Sequence, residues 1–210
     1  MKISADKLRL YAVTDSAWLN GRSLAEVVRE AIEGGATVVQ YREKNKGYED
    51  MLKEAREVCA VCREYGVPFI MNDSVEIAMA VDADGVHLGL DDGDLKAARE
   101  LLGEGKIIGA STHNVQEALS AQAQGADYLG CGAVFGSTTK TDISSITPEI
   151  LAQVTSAVQI PVVAIGGINR DNISKLNGCS LAGAAVVSAI FAQKDIRAAA
   201  KEMRALAEKL

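Results

Sequence analysis

Arg42 and Lys44 stand at alternate positions in QYREK (40–44), directly after an apolar run, and a third cation, Lys140, lies in GCGAVFGSTTKTD (130–142) among Ser137, Thr138, Thr139 and Thr141. A loop stays wet without so many hydroxyls around one ammonium. The pattern therefore admits two readings: a solvated turn, or a loop that closes on an anion. Carboxylates accompany the cations, because Asn72-Asp73 and Asp91-Asp92 also follow apolar runs. Brought together, such carboxylates would suit a hard cation that takes its remaining ligands from substrate oxygens, as magnesium does with phosphates. Flanked by Arg42, Lys44 and Lys140, that ligand would be a diphosphate. Gly166-Gly167 and Ser188 add a second anion site, in which backbone N–H groups receive a phosphate.

Each group also has a simpler use. Arg42, Glu43 and Lys44 could pair locally in a solvated loop, where ion pairs contribute little. Asn72-Asp73 and Asp91-Asp92 could cap the helices that follow them. His87 reads as a core histidine with satisfied nitrogens, a use less available to His113, which lies beyond its strand. What decides is the set of elements that must hold these groups.

Apolar, often β-branched runs alternate with stretches of helical periodicity: LYAV (10–13), VVQY (38–41), PFIM (68–71), GVHL (85–88), KIIGA (106–110), YLGCG (128–132), PVVAIGG (161–167) and AAVVSAIF (184–191). Between them fall SLAEVVREAIEGG, YEDMLKEAREVCAVCREYG, SVEIAMAVD, DLKAARELLG, NVQEALSAQAQGA, TPEILAQVTSAV, DNISKLNG and the closing DIRAAAKEMRALAEKL. Ser23 with Glu26 forms a capping-box pattern, and Thr147-Pro148 puts proline at a first helical position. Eight strand–helix units predict an α/β fold, a single (β/α)8 TIM barrel over residues 1–210, with a doubly wound sheet as the alternative. In such a barrel chemistry belongs to the loops after the strands. The polar residues singled out above follow strands rather than precede them.

Composition limits the partners. A net charge of -6 argues against a broad phosphate-neutralising face, so nucleic acid is not expected. The amino-terminal stretch lacks the apolar core of a signal peptide, and no apolar run approaches the roughly 20 residues of a membrane span. The expectation is a cytoplasmic protein, without membrane attachment, acting on small molecules; homo-oligomerisation stays open. Cys59 and Cys62 form a CxxC in a helical stretch without a second ligand pair, and with Cys131 and Cys179 they read as buried, reduced thiols.

Taken in order, YAVTD, VVQYREK, MNDS, GVHLG followed by DD, GASTHN, DYLGCGAVFGSTTK, PVVAIGGI and AAVVSAI resemble the thiamine-phosphate synthase family over nearly the whole chain. The resemblance implies a (β/α)8 barrel that joins hydroxymethylpyrimidine diphosphate to thiazole phosphate, releasing pyrophosphate and thiamine monophosphate through a dissociative, magnesium-assisted substitution. It implies that the pyrimidine diphosphate is bound by Gln40, Tyr41, Arg42, Glu43, Lys44, Asn72, Ser111 and Lys140, of which Lys140, Arg42 and Ser111 are the catalytic groups. It further implies one Mg2+ per subunit on Asp73 and Asp92, and thiazole phosphate on Ser137, Thr138, Thr139, Gly167, Val187 and Ser188. The chain departs from the family at Leu90, where glutamine is usual, and at Ala133 and Gly136, where prolines are usual. Gly136 is expected to loosen its loop. Three alternatives remain, a thiazole tautomerase, a silent barrel that senses a phosphorylated ligand and another phosphosugar-type barrel enzyme; none of them uses the cations and paired aspartates.

Overall fold

Short β-branched and aliphatic runs, apolar on both faces, form strands that must be covered on both sides. In the computed structural model, which describes residues 3–89, 93–136 and 146–210, these are β1 (Leu10–Val13), β2 (Val38–Tyr41), β3 (Phe69–Asn72), β4 (Gly85–Leu88), β5 (Ile107–Thr112), β6 (Tyr128–Gly132), β7 (Val162–Ile165) and β8 (Gly183–Val186). All neighbours pair in parallel, and β8 returns to β1, so the sheet closes into a barrel. Closure excludes the doubly wound alternative.

The strands are wrapped by α1 (Leu24–Glu33), α2 (Tyr48–Tyr65), α3 (Val75–Ala80), α4 (Leu95–Leu102), α5 (Val115–Ala123), α6 (Pro148–Ala157), α7 (Ser188–Phe191) and α8 (Ile196–Ala207). Their starts follow local chemistry. Ser23 and Glu26 make the reciprocal capping box of α1, and Thr147 caps α6 with Pro148 in its first turn. Helix α3 is capped by Ser74, whose hydroxyl accepts from the Ile77 N–H at 3.1 Å, and α4 by Asp94, which accepts from the Lys96 N–H at 2.8 Å. Neither Asn72 nor Asp73 is spent on a cap.

After β7 the sequence reads as a helix, but the chain forms only a 3-10 turn, Ile173–Leu176. The Asn172 side chain accepts from the Asn169 N–H at 2.9 Å and donates to the Gly167 carbonyl at 2.9 Å. These bonds offer the backbone an alternative to a helical start.

Strand periodicity sorts the side chains into two layers. Leu10, Val39, Tyr41, Phe69, Met71, Val86 and Leu129 face outward and pack with the helices in one buried cluster. Tyr11, Val13, Val38, Ile70, Ile107, Tyr128 and Val163 face inward and fill the barrel. Gly109 pairs with His87 on one side and Tyr128 on the other. A Cβ at 109 would stand 2.2 Å from Cζ of the Tyr128 ring, so this glycine is the space into which that ring leans.

Candidate functional site

The carboxyl ends of the strands form one mouth, and period two decides which side chains enter it. From β2 the inward positions are Gln40 and, one step beyond the strand, Arg42; both line the central pocket. Thr14, fully buried after β1, holds Arg42 by its backbone: its hydroxyl accepts from the Arg42 N–H at 3.0 Å and donates to the Arg42 carbonyl at 3.4 Å. The Arg42 guanidinium has no ion-pair or hydrogen-bond partner among the described residues, which leaves it available to an anion.

The loop after Arg42 is organised by Glu43, only 8% exposed. Its carboxylate accepts from the Ser16 hydroxyl at 2.7 Å and from the N–H groups of Lys44 and Asn45 at 2.8 and 2.9 Å. Burial alone would raise its pKa, but the Ser16, Asn45 and Lys44 hydrogen bonds and the Lys46 ammonium outweigh burial, so the group stays below the usual carboxylate range. Lys44, exposed at the rim, is paired with Asp73. Asp73 leaves β3 with φ of 62°, a left-handed conformation that aspartate tolerates better than most residues.

Asn72, His87 and Ser111 supply the pocket wall from β3, β4 and β5. His87 is 7% exposed; its Nδ1 lies 2.9 Å from the Tyr128 hydroxyl and its Nε2 3.0 Å from the Ser111 Oγ. It is thus a core histidine with bonded nitrogens, as expected, yet one that reaches the site. His113 also lines the pocket, with its Nδ1 2.9 Å from the Glu117 carboxylate.

The opposite wall is backbone. Gly166 and Gly167 have φ of 103° and 62°. A Cβ on Gly167 would stand 2.6 Å from the Phe135 carbonyl oxygen, so the peptide there can only be glycine without displacement. Val187 and Ser188 complete this wall from β8 and the first turn of α7. A phosphate placed against it would meet N–H groups and a helix start.

The structure therefore brings Gln40, Arg42, Asn72, Ser111, Gly167, Val187 and Ser188 to one pocket, with Lys44 and Asp73 beside them. It does not bring Tyr41 there. Position 41 has outward parity; the ring is fully buried in the helix–strand layer, and its hydroxyl donates to Glu54 at 2.9 Å. The Glu43 carboxylate is likewise turned to its own loop rather than to the pocket. Leu90, Asp91, Asp92, Ser137, Thr138, Thr139 and Lys140 lie outside the described residues. Gly136 has φ of 77°, closed to the proline usual in the family. Residues that sequence reading passed over are Thr14, Tyr11 and Tyr128. The two phenols look like ordinary strand aromatics, and only inward parity marks them.

Among the described residues no three His, Cys, Asp or Glu side chains gather as metal ligands. Asp73 beside a pocket with a cationic wall fits a metal that draws most of its ligands from a substrate's phosphates, not a closed protein cage. The cysteines are buried thiols, and burial raises Cys131 to about 11. No helix among the described residues is long and apolar enough to cross a membrane.

A family model described as thiamine monophosphate synthase matches residues 10–190. A protein of Clostridium novyi (strain NT) named thiamine-phosphate synthase is 48% identical over 93% of this chain and 96% of its own length. One of the same name from Chloroflexus aurantiacus is 50% identical over 94% of this chain and 92% of its own. Among solved structures, a thiamine phosphate pyrophosphorylase from Pyrococcus furiosus superposes with a TM-score of 0.89 at 43% identity, covering 97% of each chain. An N-acetylmannosamine-6-phosphate 2-epimerase from Clostridium perfringens, at 18% identity and a TM-score of 0.63, shares the fold alone.

Proposed function

The chain belongs to the thiamine monophosphate synthase family, and on that premise we propose that it joins hydroxymethylpyrimidine diphosphate to thiazole phosphate, forming thiamine monophosphate and pyrophosphate. The observation that carries the proposal is that a wall of polar side chains from β2, β3 and β5 and a wall of glycine backbone from β7 open into one pocket. One wall suits a diphosphate on a flat heterocycle; the other suits a single phosphate.

The reaction we infer is dissociative. The bond from the pyrimidine methylene to the diphosphate oxygen breaks with its electron pair on oxygen, and the thiazole nitrogen then donates its lone pair to the resulting cation. Negative charge grows on the departing group, so fixed cations stabilise the transition state more than the ground state. Arg42, whose backbone is held by Thr14, would perform that task, and Lys140 would share it. Ser111 and Asn72 would donate to the same group, and Gln40 would orient the pyrimidine. Asp73 and Asp92 would hold one magnesium together with diphosphate oxygens; when bound, it would neutralise charge on the leaving group. Gly167, Val187 and Ser188, with Ser137, Thr138 and Thr139, would fix the thiazole phosphate. Holding the two rings together and excluding water directs capture to the thiazole. No nucleophilic side chain is required.

The test is direct. Incubated with both heterocycles and magnesium, the protein should form thiamine monophosphate and pyrophosphate in equal amounts, and a chelator should stop it. No product with magnesium present would overturn the assignment. Product formation indifferent to chelation would overturn the metal.

A further inference from the structure

A chain of hydrogen bonds runs through the barrel interior beneath the pocket. The Gln40 Nε2 donates to the Tyr11 hydroxyl at 2.8 Å, the Tyr11 and Tyr128 hydroxyls are 2.6 Å apart, and the chain continues through His87 to Ser111. It joins Gln40 and Ser111 of the pocket wall through Tyr11, Tyr128 and His87, all three buried and the last also reaching the wall. The arrangement is built into the packing. His87, Gly109 and Tyr128 share a register row, Gly109 yields its side-chain volume to the Tyr128 ring, and a Cβ on Gly130 would stand 3.1 Å from the His87 ring.

Such a chain has a direction, set by the end that cannot reverse roles. An amide nitrogen only donates, so Tyr11 accepts from Gln40; among the described residues the one other partner of the Tyr11 hydroxyl is Tyr128, so a buried phenol hydrogen that is to be satisfied goes there. Tyr128 then has its hydrogen for Nδ1 of His87. That nitrogen must be a bare lone pair, and the single proton of the neutral ring sits on Nε2. Nε2–H donates to Ser111, whose Oγ is thereby an acceptor toward the protein. The serine hydrogen is left pointing to the ligand. Burial raises the pKa of both phenols, so they stay protonated and keep the chain intact.

We propose that Tyr11, Tyr128 and His87 are positioning residues that fix the polarity of Ser111, holding it as a hydrogen-bond donor into the pocket. The proposal rests on the reading of Ser111 as a group that faces the departing diphosphate; the chain ensures that an anion meets a hydrogen there and never a lone pair. Tyr11 and Tyr128 act from beneath the pocket, and His87, which also reaches its wall, acts in this role through Ser111 and transfers no proton.

The chain has two histidines, so the ring nitrogens can be followed individually. Two-bond proton–nitrogen NMR on the labelled full-length protein without substrate, with His113→Gln to assign the pair, should show His87 in the Nε2–H form. An Nδ1–H or doubly protonated His87 would overturn the polarity. In Tyr128→Phe the Nε2–H preference should be lost, and turnover should fall about fivefold to tenfold with both KM values within twofold. A His87 spectrum unchanged by Tyr128→Phe, or a lost preference with turnover unchanged, would overturn the positioning role. Tyr11→Phe provides a second variant with the same expected direction, and the wild-type spectrum decides the polarity without either. If the wild type makes no thiamine monophosphate while His87 is Nε2–H, the reaction assignment falls and the polarity stands.

Discussion

On the β2, β3 and β5 side of the mouth the pocket is faced by side chains, Gln40, Arg42, Asn72 and Ser111, whereas at Gly166 and Gly167 on the β7 side it is faced by backbone. The difference governs how each half can fail. A side chain can be truncated while the barrel stands, so the first half is altered by subtraction. A peptide cannot be removed; the second half is altered only by addition, when a Cβ pushes the main chain aside.

Arg42→Ala should have the largest effect, lowering turnover about a hundredfold by removing a preorganised donor to developing charge. Steady-state kinetics with each substrate varied should place any KM increase on the diphosphate and leave the thiazole phosphate within twofold. Gly167→Ala should do the converse. Its Cβ meets the Phe135 carbonyl, and one weakened hydrogen bond to a charged group should raise the thiazole phosphate KM roughly tenfold. If both variants raised both constants alike, the division of the mouth would be wrong.

Glu43→Gln probes the tether rather than a wall. Loss of its charge should loosen the loop that aims Arg42 and Lys44 and reduce turnover roughly threefold to tenfold. Because the folded-state pKa of Glu43 is depressed, its stabilisation is complete above the unfolded value of about 4.3 and is lost as pH falls through the lower folded value. Thermal melts of wild type and Glu43→Gln should therefore differ at neutral pH and converge on acidification. A constant gap would show that the charge is not what matters. Smallest of all, Tyr41→Phe should change turnover less than twofold while costing about 0.5–1.5 kcal/mol of stability, since its hydroxyl serves Glu54 in the outer layer. A larger kinetic effect would mean that the outer layer reaches the mouth.

The same division explains what could be read from sequence. Alternation of apolar runs with helical periodicity placed β1, β2, β4 and β6 at LYAV, VVQY, GVHL and YLGCG without error. The side-chain wall was legible because arginine, asparagine and serine after a strand are unusual in type. Tyr41 falls outside the pocket for a reason also present in the sequence: parity puts 40 and 42 inward and 41 outward. Asn72 and Asp73 remained ambiguous because the cap of α3 falls on Ser74, one residue later, a matter of local geometry that composition does not fix. The backbone wall announced itself only through the Gly166-Gly167 pair. The turn after β7 reads as a helix in sequence because its apolar spacing suits one, and the competing Asn172 bonds depend on a fold already made. Tyr11 and Tyr128 were invisible as a pair because 117 residues separate them.

The glycine at 109 bears on how this chain can vary. Its missing side chain is occupied by the ring of a residue on the next strand, so volume at the two positions is held in common, and neither has a tolerance of its own. An alanine at 109 would be a minor change beside a small residue at 128 and a wedge beside tyrosine. Any drift at one must be answered at the other, which makes the strand row, not the single residue, the smallest part of this barrel that can be exchanged.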